Sequence, residues 1–520
     1  MLWSPSWVAA LTSTGLTGPE RLAVLMLSLW LLLATPTLLG RVRLSLWVWA
    51  PAFALVPPFI YLCLRFDSVP GDALVAAALH TAPARSLEVV LAFGPWLWVW
   101  AAAVRSYLSL AWHIDAGWRW HWLTRKRWLA GLLGVASVSL VLRQTLPQQL
   151  SLPALFDRAT ADLVFPLNLA RSVDRVLEQS QRSATTVSIH GRPRPGTADQ
   201  ALHLVLVIGE SVRPDHLSLY GYPRDTTPGL QRMAGAMLRF DDVASIAHWT
   251  DTAVPCIVSR PLENGRRAGL VRTLDEAGFH TAWLSNQESS DLIRSARVAD
   301  FARDDYDFHL RLDTALLPPF EALLRQAGPR QFIALHMIGS HFPYEERYDA
   351  RARRFGPTLA DAGVSGHPGP KFKAEAINSY DNSLVALDQF LMRVVAALQA
   401  DPHPALLVFT SDHGENLFDD ERQRFMHALR TPSKADTTVP LFVWANEAHR
   451  RSHPGALRPL TERLHAPISH IDLMPTLLDL AGVDAEGLRP EHSLLSPAWR
   501  PHPRHLQQIA GPGWDYDAIR

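Results

Sequence analysis

Residues 202–211, Leu-His-Leu-Val-Leu-Val-Ile-Gly-Glu-Ser, decide how the second half of this chain is read. Leu202–Ile208 is a short, nearly continuous apolar run rich in branched side chains, the pattern of a strand buried on both faces. It stops at Gly209, and Glu210 and Ser211 follow at once. Runs of the same kind recur at Thr281–Ser285, Gln331–Met337, Leu406–Thr410 and Leu441–Trp444, while Asn378–Leu398 and Asp472–Ala481 carry a helical pattern. Strands alternating with helices predict an α/β domain from residue 201 onward, with a mostly parallel central sheet covered on both faces. The chain has no internal repeat and no extended low-complexity tract.

Open α/β sheets bind ligands beyond the carboxyl ends of their strands. Three of the predicted strands deliver polar residues at that edge. The first ends in Gly209-Glu210-Ser211, the second in His336-Met337-Ile338-Gly339-Ser340-His341, and the third in Ser411-Asp412-His413-Gly414-Glu415. Carboxylates and imidazoles are ligands for a borderline cation such as zinc, so Glu210, Asp412 and His413 form a candidate set. A hydroxyl beside such a metal loses its proton more easily and becomes a nucleophile near neutral pH. Taken alone, Asp412-His413-Gly414-Glu415 fits a surface turn or a helix cap equally well, and Gly-Glu after a strand is common.

The N-terminal part is of a different kind. Leu22–Leu39, Leu44–Leu64, Leu87–Val104 and Trp128–Leu142 are apolar segments, and about 20 such residues cross a bilayer core. Arg41 and Arg43 follow the first run directly and another apolar run comes next, which argues against a cleaved signal peptide. Those arginines, and Arg105, Arg119, Arg125, Lys126 and Arg127 in the third loop, place both loops in the cytoplasm. The loop from Arg65 to Glu88, everything after Leu142 and the N-terminus then face the other side. Trp3–Leu16 is a candidate fifth segment, which would move the N-terminus. Trp47, Trp49, Trp96, Trp98, Trp118, Trp120 and Trp122 fit interfacial anchoring. The helices serve either as an anchor alone or, with the apolar stretch Ala73–Leu79 lying in the interface, as part of a lipid head-group site. The expected organisation is a transmembrane region over 1–145, a bridging helix and linker over 146–200, a catalytic domain over 201–500 and a tail over 501–520.

Composition removes several classes. With 50 Lys+Arg against 50 Asp+Glu the net charge is zero, which gives no footprint for nucleic acid. There are two cysteines, Cys63 in an apolar run and Cys256 in the polar half, so a disulfide scaffold is excluded. The 520 residues exceed one ordinary domain, and a catalytic part of about 300 residues buries a large core without staples.

The motifs taken together are more specific. Leu206-Val207-Ile208-Gly209-Glu210-Ser211 is followed by Leu219-Tyr220-Gly221-Tyr222-Pro223-Arg224-Asp225-Thr226-Thr227-Pro228, then by Thr250–Ser259 (TDTAVPCIVS), Gly339-Ser340-His341, Asn378-Ser379-Tyr380-Asp381-Asn382, Ser411–Glu415 and Val439-Pro440-Leu441. In order and spacing over residues 202–482 this resembles the membrane-anchored phosphoethanolamine transferases of the alkaline phosphatase and sulfatase superfamily. The resemblance implies a sulfatase-like (alkaline phosphatase-like) α/β domain behind an α-helical transmembrane region. It implies catalytic zinc at Glu210, Thr250, Asp412 and His413, with Thr250 as nucleophile. His341 and His427 match histidines that contact the substrate phosphate or additional zinc. It further implies a phosphatidylethanolamine donor, a phosphoethanolamine-threonine intermediate and a glycan or glycolipid acceptor. The expected setting is a monomer in the bacterial inner membrane, crossing it several times, with its catalytic domain in the periplasm.

The chain also departs from the lipid A-modifying members. Their disulfides are missing, Cys256 having no matching partner. Ser285–Asp291 carries acidic residues where those members have a serine and a lysine, and Arg85 stands four residues after Thr81 where they have glutamate. These departures tilt the acceptor from lipid A towards a lipopolysaccharide core sugar or a periplasmic glucan. Three alternatives compete: a phosphoglycerol transferase of the lipoteichoic acid synthase type, a sulfatase-like hydrolase, and a degenerate binding domain. A sulfatase needs a proline where Val258 stands after Cys256, the Tyr-Asp-Asn run at 380–382 favours the ethanolamine branch, and a degenerate domain would have lost metal ligands.

Overall fold

The computed structural model describes residues 189–520, except 262–266, 288–295, 301–311, 327, 365–366, 430, 508–512 and 520. Of the earlier residues it describes 34–66, 96–114, 126–129, 168–174 and a few isolated positions. The chain divides into two compact units, Met1–Glu178 and Gln179–Arg520.

In the first unit, helix α1 spans Val42–Phe66 and helix α2 spans Trp96–His113. They lie antiparallel: Trp100 Nε1 donates to the Ala54 carbonyl (2.6 Å), Tyr107 Oη to the Leu46 carbonyl (2.7 Å), and Phe53 stacks on Tyr107. Large apolar side chains point outward, including Trp98 (80% exposed) and Trp112 (64%), a surface suited to lipid. The predicted span Leu44–Leu64 falls within α1. The second half of Leu87–Val104 lies in α2, which continues to His113; its first half is outside the described residues, as are most of Leu22–Leu39 and Trp128–Leu142 and the loop 67–88. Asn168–Asp174 is helical. Among the described residues, one stretch is long and apolar enough to cross a membrane, Pro370–Ala400, and 56% of an 18-residue apolar window of it is buried inside the second unit, so it is a core helix.

The second unit is built on a seven-stranded sheet. In chain order its strands are β1 (Leu202–Gly209), β2 (Met237–Phe240), β3 (His280–Ser285), β4 (Val298–Asp300), β5 (Arg330–His336), β6 (Ala405–Ser411) and β7 (Leu441–Ala445). Their spatial order is β2-β7-β6-β1-β5-β3-β4. The run β6-β1-β5-β3-β4 is parallel, and β7 and β2 add an antiparallel edge. All five strands expected from sequence are present within a residue or two. Strands β2 and β4 escaped notice because they are short and lie at the edges, where half-exposed residues interrupt the apolar pattern.

Period-two alternation along β1 divides the core. Leu202, Leu204, Leu206 and Ile208 face one side, with helix α4 (Leu270–Glu276) and helix α7 (Leu473–Leu480) packed there. Val205 and Val207 face the other side, against helix α5 (Leu317–Gln326) and the long helix α6 (Lys373–Ala400). Helix α6 buries Ala376, Tyr380, Leu384, Leu387, Leu391, Val394 and Leu398, spaced by three or four residues as an apolar stripe requires. The last helix needed here, α3 (Thr250–Ile257), leads out of the segment after β2. On the α6 face, Phe409 stacks on Phe442 with ring centroids 4.8 Å apart.

Phe409→Ala leaves a cavity between β6 and β7 and is expected to destabilise the fold by about 3–5 kcal/mol. Denaturant unfolding in detergent, followed by tryptophan fluorescence, should show the midpoint falling accordingly.

Candidate metal centre

The four parallel strands β3, β5, β1 and β6 end at one edge, and the residue after each turns into a common hollow. Glu210 follows β1, Asn286 and Gln287 follow β3, Met337–His341 follow β5, and Asp412-His413 follow β6. Two backbone devices hold Glu210. The Ser340 amide donates to its carbonyl, and Gly339 turns there with φ +47°, where a Cβ would sit 2.8 Å from the Glu210 nitrogen. Both the conformation and the space demand glycine. Buried Asp313 fixes the same turn, accepting from the amides of Ile338 and Gly339 and from Asn286 Nδ2, each at 2.9 Å.

Four residues named from sequence meet. Thr250, the first residue of α3, donates from Oγ1 to Glu210 Oε2 at 2.9 Å and lies 3.2 Å from His413 Nε2. That nitrogen is 3.3 Å from Glu210 Oε1 and 3.4 Å from Asp412 Oδ2. His413 Nδ1 lies 2.8 Å from the Gly414 carbonyl. A carbonyl only accepts, so Nδ1 carries a proton there, and in the neutral ring Nε2 presents its lone pair to the cluster. Asp412 Oδ1 accepts from the amides of Ser211 and His413, whereas Oδ2 is buried without a hydrogen-bond partner.

These distances fit a cation. Tetrahedral zinc with bonds of about 2.0–2.1 Å separates its ligand atoms by about 3.3 Å. The orphaned Asp412 oxygen also gains a partner if an ion sits among the four groups. With protons as the only counterions, burial and the Glu210 charge push Asp412 up to about 8. Against the cost of burial, the Asp412 and Glu210 carboxylates lift His413 to about 10. The hollow therefore holds on to positive charge, which a divalent ion supplies.

His427 joins this group: one ligand atom from each of Glu210, His413 and His427 lies within 4.8 Å of the others. Its ring sits 4.1 Å from that of His413 and its Nδ1 3.3 Å from Glu415 Oε1. The loop carrying it is fixed by the Ala428 amide donating to the His248 carbonyl and by the His248 ring against the Leu429 carbonyl. His341 stands further out, its ring 6.0 Å from that of His427. Burial pushes His427 down to about 3, with His413 adding to the effect, and His341 down to about 4. Both are neutral at neutral pH.

Gln287 escaped the sequence reading. Its Nε2 donates to Glu210 Oε2 at 2.9 Å and to the Met337 carbonyl at 2.7 Å. The available signal was position, since Gln287 lies just past the end of β3 as Glu210 does past β1. The run Asn378–Asn382 is a clamp and does not reach the cluster. Tyr380 Oη donates to the Ser211 carbonyl, Asp381 holds His216, Tyr222 and Arg224, and Asn382 accepts the amides of Arg354 and Phe355. Cys256 is a free thiol beside Arg267.

A family model described as Sulfatase matches residues 203–483. The chain belongs to the sulfatase family. Within it, the chain is similar to phosphoethanolamine transferase EptC of Escherichia coli (strain K12), with 27% identity over 319 residues, 57% of this chain and 54% of that protein. The chain thus spans about half the length of the curated relatives it matches. Its fold is similar to the C-terminal periplasmic domain of Escherichia coli EptC in complex with zinc (TM-score 0.57, 24% identity), covering 64% of this chain and 98% of that one. It is also similar to the integral membrane protein lipooligosaccharide phosphoethanolamine transferase A from Neisseria meningitidis (TM-score 0.73, 22% identity), covering 96% of each chain. The second likeness extends the shared fold well beyond the sulfatase-family domain.

Replacing Gln287 by Leu removes the donor that orients Glu210 and is expected to weaken divalent-ion binding about 10–100-fold, as loss of such a supporting group does elsewhere. Competition titration with a zinc-selective dye gives the affinity.

Proposed function

We propose that this chain is a membrane-anchored transferase that moves phosphoethanolamine from phosphatidylethanolamine to an envelope glycan or glycolipid, with Thr250 as the nucleophile. One observation carries the proposal. The Thr250 hydroxyl stands at the start of α3, 2.9 Å from Glu210 and 3.2 Å from His413. No other side-chain hydroxyl combines such an acceptor with a helix N-terminus that stabilises developing negative charge among the described residues of the hollow. The choice of group rests on relatives matching the α/β unit that are named phosphoethanolamine transferases. Membership of the sulfatase family alone would also permit sulfate esters.

Zinc held by Glu210, Thr250, Asp412 and His413 would supply Lewis acidity, favouring the threonine alkoxide and neutralising charge on the phosphoryl oxygens. Glu210 Oε2 accepts the Thr250 proton along their hydrogen bond. Thr250 Oγ1 then bonds to phosphorus as the bond from phosphorus to the diacylglycerol oxygen breaks. The neutral rings of His341 and His427 suit hydrogen bonds to phosphoryl oxygens, and the departing alcohol takes its proton from water. An acceptor hydroxyl next attacks phosphorus, its proton passing to the hydroxide that water left, and the bond from phosphorus to Thr250 Oγ1 breaks as Glu210 returns the proton.

A donor embedded in a bilayer accounts for the tether. The proposed layout is a multi-pass membrane region over 1–145, a bridge over 146–200, and a periplasmic catalytic domain over 201–500 with the tail 501–520 behind it, in the inner membrane. The acceptors in keeping with this layout are a lipopolysaccharide core sugar, a periplasmic glucan and lipid A.

With the full chain in vesicles containing head-group-labelled phosphatidylethanolamine, label should reach one of the three acceptors. Thr250→Ala should lower transfer at least about a thousand-fold. Chelation should abolish transfer and added zinc restore it. Full activity of the Thr250→Ala protein, or activity indifferent to chelation, would remove the mechanism.

A further inference from the structure

A second cluster of metal-type ligands lies away from the hollow. Asp472, His492 and His502 each offer one ligand atom, all within 4.8 Å of one another. Asp472 ends the turn that leads into α7, His492 ends a 3₁₀ turn at Pro490–His492, and His502 lies in the run before Arg504. Twenty residues of chain separate the first two and ten the last two. We propose that Asp472, His492 and His502 form a structural zinc site that fastens the C-terminal run 490–502 to the turn 469–472.

Four observations support it. First, the ligand set of two imidazoles and one carboxylate is a zinc set, leaving a fourth position for water. Second, the spacing fits. His502 Nε2 lies 2.8 Å and His492 Nδ1 3.7 Å from Asp472 Oδ1, values that straddle the roughly 3.3 Å between ligand atoms of a tetrahedral site. Third, His492 Nδ1 is buried and faces that oxygen without a hydrogen-bond partner. A buried imidazole nitrogen in that position costs free energy unless something fills the gap. Fourth, the surrounding groups hold the ligands in place. His502 Nδ1 lies 3.3 Å from the Pro503 carbonyl, an acceptor that turns Nε2 towards Asp472. Asp472 is wholly buried. It accepts from the Ser469 amide through Oδ2 and from Trp499 Nε1 through Oδ1. The two imidazoles keep 12% and 16% of their side-chain surface, enough for an ion to enter.

The site's position gives it a use. Ile471, next to Asp472, packs against the small cluster of Ile246, Ala247 and Ala253, as Cys256 also does, and Arg260 donates to the Ile471 carbonyl. Ala253 and Cys256 belong to α3, whose first residue is Thr250. An ion at Asp472 therefore braces the turn on which the nucleophile's helix rests. It closes loops of about 20 and 10 residues in a region that carries no disulfide among its described residues.

The test removes the first site so that the second is read alone. Full-length Glu210→Ala/His413→Ala protein, purified in detergent, stripped of metal and dialysed against a slight excess of Zn2+, is compared with the same protein carrying His492→Ala and His502→Ala as well. A further group of ligand-type residues, His203, Asp401 and His403, is untouched in both. Elemental analysis should show one zinc fewer per chain in the quadruple variant. Added Zn2+ should raise the thermal midpoint of the double variant by a few degrees and leave that of the quadruple variant unmoved. Should the quadruple variant fail to fold, His492→Gln alone should still lower zinc affinity at least about tenfold. Equal zinc content in the two proteins would overturn the proposal and leave the cluster as an imidazolium–carboxylate pair. Neither outcome depends on phosphoryl transfer, so the zinc staple and the proposed activity stand or fall separately.

Discussion

Two carboxylates and an imidazole, Glu210, Asp412 and His413, are wholly buried within hydrogen-bond reach of one another at the edge of the sheet. Ionised and alone, such a group would repel itself and lose its hydration, at a cost of several kcal/mol. Much of the second unit makes this concentration of charge tolerable. Four parallel strands deliver the ligands and their supports from rigid backbone, so the groups cannot relax apart. Asp313 and Gly339 lock the turn beneath Glu210, and Gln287 and Thr250 share its outer oxygen. The remaining deficit of positive charge matches a divalent ion, and the buried Asp412 Oδ2, which has no hydrogen-bond partner, marks where such an ion would sit.

In the proposed mechanism, that arrangement also accounts for the use of a threonine. An isolated threonine hydroxyl is a poor nucleophile at neutral pH. At the start of α3, hydrogen-bonded to a carboxylate and beside a cation, its proton is far easier to remove. His341 and His427 are driven neutral by burial and by the charge already present, which suits them to hold phosphoryl oxygens and unsuits them as acids. The proposed lipid donor would add the need to work at a bilayer surface. Helices α1 and α2, with tryptophans turned outward, supply an apolar exterior for that purpose.

Much of this was legible in the chain. The buried strands show as short branched runs because both faces of a parallel sheet are covered, and Glu210, Asp412 and His413 stand out because each follows such a run directly. Thr250 was not legible from local pattern. No strand precedes it immediately, and it was identified through resemblance of the whole ordered motif set. Gln287 was hidden because an amide after a strand carries no chemical signal until its partner is seen. The Asn378–Asn382 run suggested a branch of the family, yet its side chains clamp the segment after β1, through the Ser211 carbonyl and the side chains of His216, Tyr222 and Arg224, and do not reach the cluster. Strand β2 of the antiparallel edge was missed because its four residues, two of them half-exposed, carry too little periodicity. The cluster of Asp472, His492 and His502 was invisible for the opposite reason: its members are far apart in sequence and only folding brings them together.

The most direct test of the central claim, a nucleophilic Thr250 poised by the buried carboxylate–imidazole group, is mass spectrometry of the protein after brief exposure to phosphatidylethanolamine without acceptor. The account predicts a phosphoethanolamine adduct on the peptide containing Thr250, lost when acceptor is added and absent from Glu210→Gln protein. An unmodified Thr250 in a protein that still transfers the group, or an adduct on another residue, would contradict it.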